Sequence, residues 1–205
     1  MDDMTDTAAA DLVRAEGLAA RALAGSPPSP LRNYAKGQVL RAQHRYAEAI
    51  PEYETVLALD RNWVAALFGL GVCKLITGSI EETIPLAERA IRLRPRDPAL
   101  GVWYQLIGHV HLLQSRTDEA IIWLEKARSA TPASASIRAN LASAYAFNAE
   151  TERAVVELME ARRLAYDDRY SSIARLRGYR GVPQVRALYE ATYFAGLRKA
   201  GMPEE

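Results

Sequence analysis

The chain has 205 residues, with 26 lysines and arginines against 25 aspartates and glutamates, and a single cysteine. This balance provides no overall field that would attract nucleic acid, and one cysteine permits neither an intramolecular disulfide nor a thiolate metal cluster. No apolar run approaches the roughly 18 residues of a membrane span, and the acidic N-terminus lacks the layout of a signal peptide. We therefore expect a soluble, cytoplasmic protein that does not enter a membrane.

The first predicted element is a helix over residues 8–24, in which Leu12 and Leu23 share one face. Pro27 follows this helix at the position where prolines close later segments of the chain. Residues 1–29 are therefore interpreted as an incomplete repeat unit that caps the N-terminal end.

From residue 30 onward the chain repeats itself. Gly37 and Gly71 lie 34 residues apart, and Gly108 follows after a further 37, so the middle junction is three residues longer. A unit of this length cannot bury its apolar face alone, and such units stack into a solenoid. The register defines four units, which cover residues 30–63, 64–97, 101–134 and 135–168.

Each unit is predicted to contain two helices joined by a turn. In unit two, the helix over residues 65–76 can end at Gly78, because glycine readily adopts the left-handed conformation of a helix C-terminus. The sequence from Ser79 to Glu82 matches a capping box that would start the next helix. Pro51 and Pro85 fall inside the second helices of their units, where we expect slight kinks.

The repeat pattern carries a family resemblance. The first helices of units two and three contain Leu70-Gly71 and Ile107-Gly108, and Ala49 and Tyr53 form an Ala-x-x-x-aromatic pattern in a second helix. With the 34-residue period, this pattern resembles the tetratricopeptide repeat. The resemblance implies an all-α, right-handed superhelical solenoid of helix–turn–helix units. Thr83 in place of an alanine is one departure, but the four units stay in register.

Residues 169–205 are predicted to form a C-terminal capping helix and tail. A helix from Pro183 to about Ala200 would have a broad apolar face. A solenoid otherwise ends in an exposed helix pair, so we expect this helix to dock on the last repeat and to cover the second helix of unit four around Val155, Leu158 and Met159. If the segment reaches a neighbouring chain instead, it makes a homodimer.

Two stretches near the C-terminus, residues 167–173 and 187–205, resemble the end of certain bacterial signalling proteins. Those proteins join a cyclase catalytic domain or a winged-helix DNA-binding domain to C-terminal tetratricopeptide repeats. The resemblance covers the repeat portion and none of the catalytic portion. It implies a protein–protein interaction module that serves as the regulatory or assembly region of a signalling protein. An accessory region of a nucleotide cyclase is an alternative.

In the resembled repeats, partners bind a concave groove lined by the first helix of each unit. The matching positions are Tyr34, Gln38 and Arg41 in unit one, Phe68, Val72 and Leu75 in unit two, Gln105, His109 and Leu112 in unit three, and Ala139, Asn140, Ser143 and Ala146 in unit four. This set has an apolar middle and polar ends, which suits an amphipathic helix of a protein partner or the chain's own terminal segment. The basic and amide residues that clamp acidic chaperone tails are missing from the matching places.

The sequence predicts no catalytic residues, cofactor or metal site. His109 and His111 are two residues apart, so on a helix they point to nearly opposite sides and cannot share a metal ion. Cys73 lies among apolar residues and is interpreted as a small buried hydrophobe. The basic stretch from Arg169 to Lys199 can contact phosphate as part of a transcriptional regulator, but it contains no recognised nucleic-acid motif. Nucleic-acid binding is therefore the weaker alternative.

Overall fold

The computed structural model describes residues 29–178 and 181–205, together with Arg14 and Gly17, which are helical. The rest of the helix expected over residues 8–24 lies outside the described part of the chain. Within that part, the regular secondary structure is helical and contains no strand. This confirms the predicted all-α fold class.

Eight helices form four consecutive pairs: α1 (Pro30–Ala42) with α2 (Tyr46–Leu59), α3 (Val64–Thr77) with α4 (Thr83–Leu93), α5 (Leu100–Leu113) with α6 (Thr117–Ala130), and α7 (Ala135–Phe147) with α8 (Thr151–Leu164). Each helix packs mainly against its neighbours in the chain, so the pairs stack in order. The C-terminal segment contains α9 (Ile173–Leu176), α10 (Pro183–Tyr189), a π-helical turn (Glu190–Phe194) and α11 (Ala195–Lys199). Residues 183–199 run continuously and are called the C-terminal helix below.

One position in the turn of every unit has a left-handed backbone. The φ angles there are 60° at His44, 97° at Gly78, 59° at Ser115 and 58° at Ala149. The spacing of these positions repeats the spacing of the units, so the same turn joins the two helices each time. Only Gly78 adopts this conformation without a steric cost from a side chain.

The helices of unit one are held together around the ring of Tyr53, which is fully buried. A Cβ added at Gly37 would lie 2.8 Å from Cε1 of Tyr53, and one added at Gly69 would lie 2.4 Å from its Cζ. These distances are far shorter than van der Waals contact. The two glycines therefore allow α1 and α3 to approach the ring from either side.

Unit two lacks this constraint at the corresponding glycine. Gly71 occupies the same repeat position as Gly37, yet a Cβ added there would meet Leu106 at an ordinary 3.5 Å. The large side chain of Tyr53 is replaced in unit two by Ala87, which leaves room above α3. In unit three, by contrast, a Cβ at Gly108 would lie 2.7 Å from Leu124.

Two local predictions for unit two were wrong. Residues Ile80–Glu82 form a 3₁₀ turn, and the Ser79 side chain makes no capping hydrogen bond. The Glu82 carboxylate instead pairs with Lys74 at 3.0 Å. Because α4 begins at Thr83, Pro85 falls in its first turn, where a missing N–H group deletes no hydrogen bond within the helix. Pro51 does lie inside α2.

Alanine substitutions at two glycines of α3 test this packing. Gly69→Ala should lower the free energy of unfolding by about 1–3 kcal/mol, because the new methyl group overlaps the Tyr53 ring. Gly71→Ala should leave it unchanged or raise it by up to about 1 kcal/mol, since alanine favours the helix and meets no close atom. Urea denaturation followed by circular dichroism measures both. Equal effects of the two substitutions would contradict the packing described for Tyr53.

Candidate partner-binding groove

Side chains of the four first helices line one face of the solenoid. Two adjoining cavities of about 350 Å³ each lie along this face. Both open to solvent, and one of them is lined by residues of α1, α3 and α5. We call this part the open groove, and its principal residues are Tyr34, Gln38, Arg41, Phe68, Val102 and Trp103.

The walls of the open groove are largely aromatic. The Phe68 and Trp103 rings meet edge to face with their centroids 5.4 Å apart. Tyr34 packs at 5.5 Å against Trp63 and thereby holds the opposite wall. Val102 is 39% exposed, so apolar surface faces solvent between the rings. A groove of this kind can bury a large apolar side chain of another molecule.

Arg41 supplies the charge at one end of the open groove. Its Nη2 donates a hydrogen bond to Oε1 of Gln38 at 2.9 Å. Its Nε is buried and has no hydrogen-bond partner within the part of the chain that the structure describes. Burial raises the pKa of the neighbouring Tyr53 phenol to about 12, so that group stays neutral. Arg94, on the loop above, pairs with Asp97 at 3.6 Å.

The C-terminal helix covers the other end of the face and packs against α7 and α5, while α10 reaches α3. Oγ of Ser143 donates a hydrogen bond to the Tyr193 carbonyl at 3.0 Å. A Cβ added at Gly196 would lie 2.2 Å from the same Oγ, so only glycine permits this approach. We call this part the covered groove.

His109 joins the solenoid to the C-terminal helix. Its Nδ1 lies 2.9 Å from Oδ1 of Asn140, and its Nε2 lies 2.7 Å from the Tyr189 hydroxyl. Because an amide oxygen only accepts, the neutral imidazole carries its proton on Nδ1 and accepts from Tyr189 at Nε2. The rings of Tyr189 and Tyr193 pack at 5.1 and 5.6 Å from the imidazole.

Backbone contacts tie both ends of the C-terminal segment in place. Val182 N donates to the carbonyl of Ile76 at 3.1 Å, and Ile173 N donates to the carbonyl of Pro203 at 2.9 Å. Gly181 precedes the first of these contacts with φ of 86°. A Cβ there would lie 2.1 Å from the Ile76 oxygen. The segment therefore closes on itself as well as on the solenoid.

The C-terminal helix docks on the last repeat as expected, but on its first helix, α7, and the expected cover of α8 was wrong. The helix lies in the groove, while Val155 and Met159 of α8 remain 40% and 62% exposed. Small residues explain this placement, because Ala139 and Ser143 leave a deep channel along α7 into which Gly196 fits closely. Here the segment packs within its own chain.

The predicted groove residues fall into three groups. Tyr34, Gln38, Arg41 and Phe68 line the open groove, and Gln105, His109 and Asn140 line the adjoining cavity, which the C-terminal helix borders. Ser143 is fully buried beneath the C-terminal helix, Leu75 and Leu112 are core residues at 4% and 1% exposure, and Val72 is half-buried. The sequence did not point to Trp103, Arg94 or Asp97 as groove residues. The three-residue insertion beside them, which lengthens this junction, was the available signal.

Several arginines of the basic C-terminal stretch are ion-paired. Arg175 pairs with Asp168 at 2.6 Å. Arg177 and Arg198 both pair with Glu190 and Glu204, at distances between 2.8 and 3.2 Å. These carboxylates pair with three of the basic side chains that the sequence offered as a phosphate-binding surface.

The cysteine and histidine side chains considered from the sequence as reactive groups or metal ligands lie in unfavourable surroundings. Burial raises the pKa of the Cys73 thiol to about 11, which suppresses the nucleophilic thiolate. Burial also lowers the pKa of His111. Within residues 29–178 and 181–205, no group of three His, Cys, Asp or Glu side chains converges as metal ligands would. None of the helices described is both long and apolar enough to cross a bilayer.

A substitution at Gly196 tests the placement of the C-terminal helix. Gly196→Ala should displace this helix from α7, because the methyl group would overlap Ser143. Hydrogen exchange of the amides in residues 183–199 should accelerate at least tenfold, while the amides of α1 to α6 keep their protection. Ala187→Val adds bulk at an exposed position of the same helix and serves as the control. Equal protection in both variants would contradict the contact.

Cys73 should react slowly with a thiol reagent in the folded protein. At pH 8 the raised pKa lowers the thiolate fraction roughly hundredfold relative to an ordinary cysteine, and burial also restricts access. Colour development with Ellman's reagent should therefore be slow in buffer and fast in denaturing urea. Rapid complete labelling of the native protein would show that the α3 interior is open.

Comparisons with known proteins agree with this architecture. Residues 34–98 match the tetratricopeptide repeat family model. Among solved structures, PilF of Pseudomonas aeruginosa has a TM-score of 0.69 at 17% identity, covering 96% of this chain and 83% of its own. A thermophilic TPR protein of Thermus thermophilus has a TM-score of 0.65 at 21% identity, with 84% and 94% covered.

A third neighbour, YrrB, is described as a TPR protein with an unusual peptide-binding site. Its TM-score is 0.55 at 15% identity, with 84% of each chain covered. No curated protein matches the sequence significantly. Units one and two thus carry the family's sequence pattern, and the described part of the chain has the fold of tetratricopeptide repeat proteins.

Proposed function

We propose that this chain is a protein–protein interaction module whose open groove binds an amphipathic helix or peptide of a partner protein. The observation that carries the proposal is the open groove itself. It is an aromatic cavity of about 350 Å³ beside Arg41, on the face that the C-terminal helix leaves uncovered. Solvent-exposed apolar surface of this shape is typical of recognition sites.

The groove suggests the chemistry of the partner segment. Phe68 and Trp103 would bury one large apolar side chain, and Arg41 would bind an acceptor such as a carbonyl or carboxylate next to it. Neighbouring first helices lie roughly 10 Å apart, so the open groove spans about 20 Å from α1 to α5. A helical partner segment would need roughly 13 residues to cover that distance.

Because the C-terminal helix occupies the other end of the concave face, the partner can bind only in the open groove. This helix already contacts α5 and α7, where a longer ligand would have to lie. The peptide-binding site of the similarly folded YrrB supports a binding role for such a surface. The partner proposed for this chain is therefore short, and it is a protein or peptide rather than a nucleic acid.

We infer a regulatory or assembly role in bacterial signalling from the resemblance of residues 167–173 and 187–205 to the ends of such proteins. Cytoplasmic location remains a prediction from the sequence. A binding role is favoured over an enzymatic one because the buried thiol of Cys73 and the hydrogen-bonded imidazole of His109 are poorly placed to react. The alternative of phosphate binding by the basic stretch is weakened by the ion pairs of Arg177 and Arg198.

The proposal predicts that Phe68→Glu weakens peptide binding. Peptides selected from a displayed library on the purified chain should bind the Phe68→Glu variant at least tenfold more weakly, because a charge replaces an apolar anchor. Fluorescence anisotropy with a labelled selected peptide measures the change. Arg41→Ala should weaken binding to a smaller extent.

Leu59→Glu is the matched control, since Leu59 is 55% exposed and lies outside the open groove. Leu112→Glu is unsuitable because Leu112 is 1% exposed and its replacement would unfold unit three. Circular dichroism checks that each variant is folded. Undiminished binding to folded Phe68→Glu would overturn the assignment of the open groove.

A further inference from the structure

The outward face of α8 carries three exposed apolar side chains that no other described residue covers. Val155, Val156 and Met159 are 40%, 58% and 62% exposed there. In the preceding units, the repeat position of Val155 holds Ile50, Ile84 and Ile121, and these side chains are partly buried against the core. At the repeat position of Val156, unit three holds Ile122, which is 53% exposed, so Val155 is the residue that lacks the cover of a following unit. Unit four has no following unit, and the C-terminal helix lies in the groove instead of on this face.

The charges on this face are arranged so that two identical faces can pair with each other. Glu152, Met159 and Arg163 recur at helical spacing along the same stripe as the two valines. A carboxylate thus stands at the N-terminal end of the apolar patch and a guanidinium at its C-terminal end. In an antiparallel pair of such helices, Glu152 of each protomer faces Arg163 of its partner, and Val156 faces Met159 in the middle.

We propose that the α8 face binds a second copy of this chain, with the two α8 helices antiparallel across a two-fold axis. The interface is isologous, so each favourable contact occurs twice. Arg163 also pairs with Glu160 of its own helix at 2.9 Å, with 67% of its side chain exposed. The guanidinium can therefore donate hydrogen bonds to a second carboxylate while it stays paired with Glu160.

The dimer expected from this surface is weak. A single helix pair buries less than the roughly 1,200 Å² of a standard interface, so we expect a dissociation constant of about 10–500 µM. Dimerisation would place the two open grooves on separate protomers and leave both free for ligands. The proposal of a dimer therefore does not depend on the proposed peptide site.

Sedimentation equilibrium of the full chain, from about 5 µM to 1 mM, tests the proposal. The wild-type chain should pass from monomer to dimer across this range. Met159→Glu should weaken the dimer at least tenfold, while Leu59→Glu, which changes a similarly exposed residue of α2, should leave it unchanged. A chain that stays monomeric throughout, or a dimer insensitive to Met159→Glu, would overturn the proposal.

Charge reversal tests the antiparallel register. Glu152→Arg and Arg163→Glu should each weaken the dimer about tenfold, because each converts both symmetric ion pairs into repulsive contacts. The double variant restores opposite charges at both ends and should return to the wild-type dissociation constant. If the double variant is as weak as the single variants, the antiparallel α8 interface is wrong.

Discussion

Close packing of a large side chain against small residues holds neighbouring helices of this solenoid at a fixed distance. In unit one, the Tyr53 ring fills the space between Gly37 and Gly69, and a methyl group at either glycine would overlap it. Where the large residue is missing, as at Ala87, the matching glycine meets only ordinary contacts. The spacing of the first helices follows from these contacts, because each first helix rests on the second helices around it. The concave face, its cavities and the seat of the C-terminal helix all depend on that spacing.

A chain of stacked units leaves two apolar surfaces for its last segment to cover, the groove and the open end. The C-terminal helix covers the groove, since Gly196 approaches Ser143 more closely than any larger residue would allow. This placement leaves the end at α8 exposed and closes only part of the groove. The open groove and the α8 face are thus two consequences of one packing arrangement. They lie on different helices, so a partner on one need not displace a partner on the other.

The sequence predicted what depends on local spacing. The period located four helix pairs, and the left-handed turns at His44, Ser115 and Ala149 repeat the same interval. Contacts between distant segments were not predictable in this way. The docking of the C-terminal helix depends on the depth of the channel beside Ser143, and depth is not visible in a repeat pattern. Leu112 was predicted to line the groove, but it joins the core that also contains Tyr193. The ion pairs of the basic stretch were likewise not predicted, because Glu204, which pairs with Arg177, lies beyond it in the chain.

The placement of the C-terminal helix in the groove is the central claim, and proton nuclear Overhauser effects test it most directly. The His109 and Tyr189 rings have centroids 5.1 Å apart although 80 residues separate them in the chain. Cross-peaks between the ring protons of His109 and those of Tyr189 and Tyr193 are predicted for the full chain. Their absence in a spectrum that shows the other aromatic contacts, such as Phe68 with Trp103, would contradict the account.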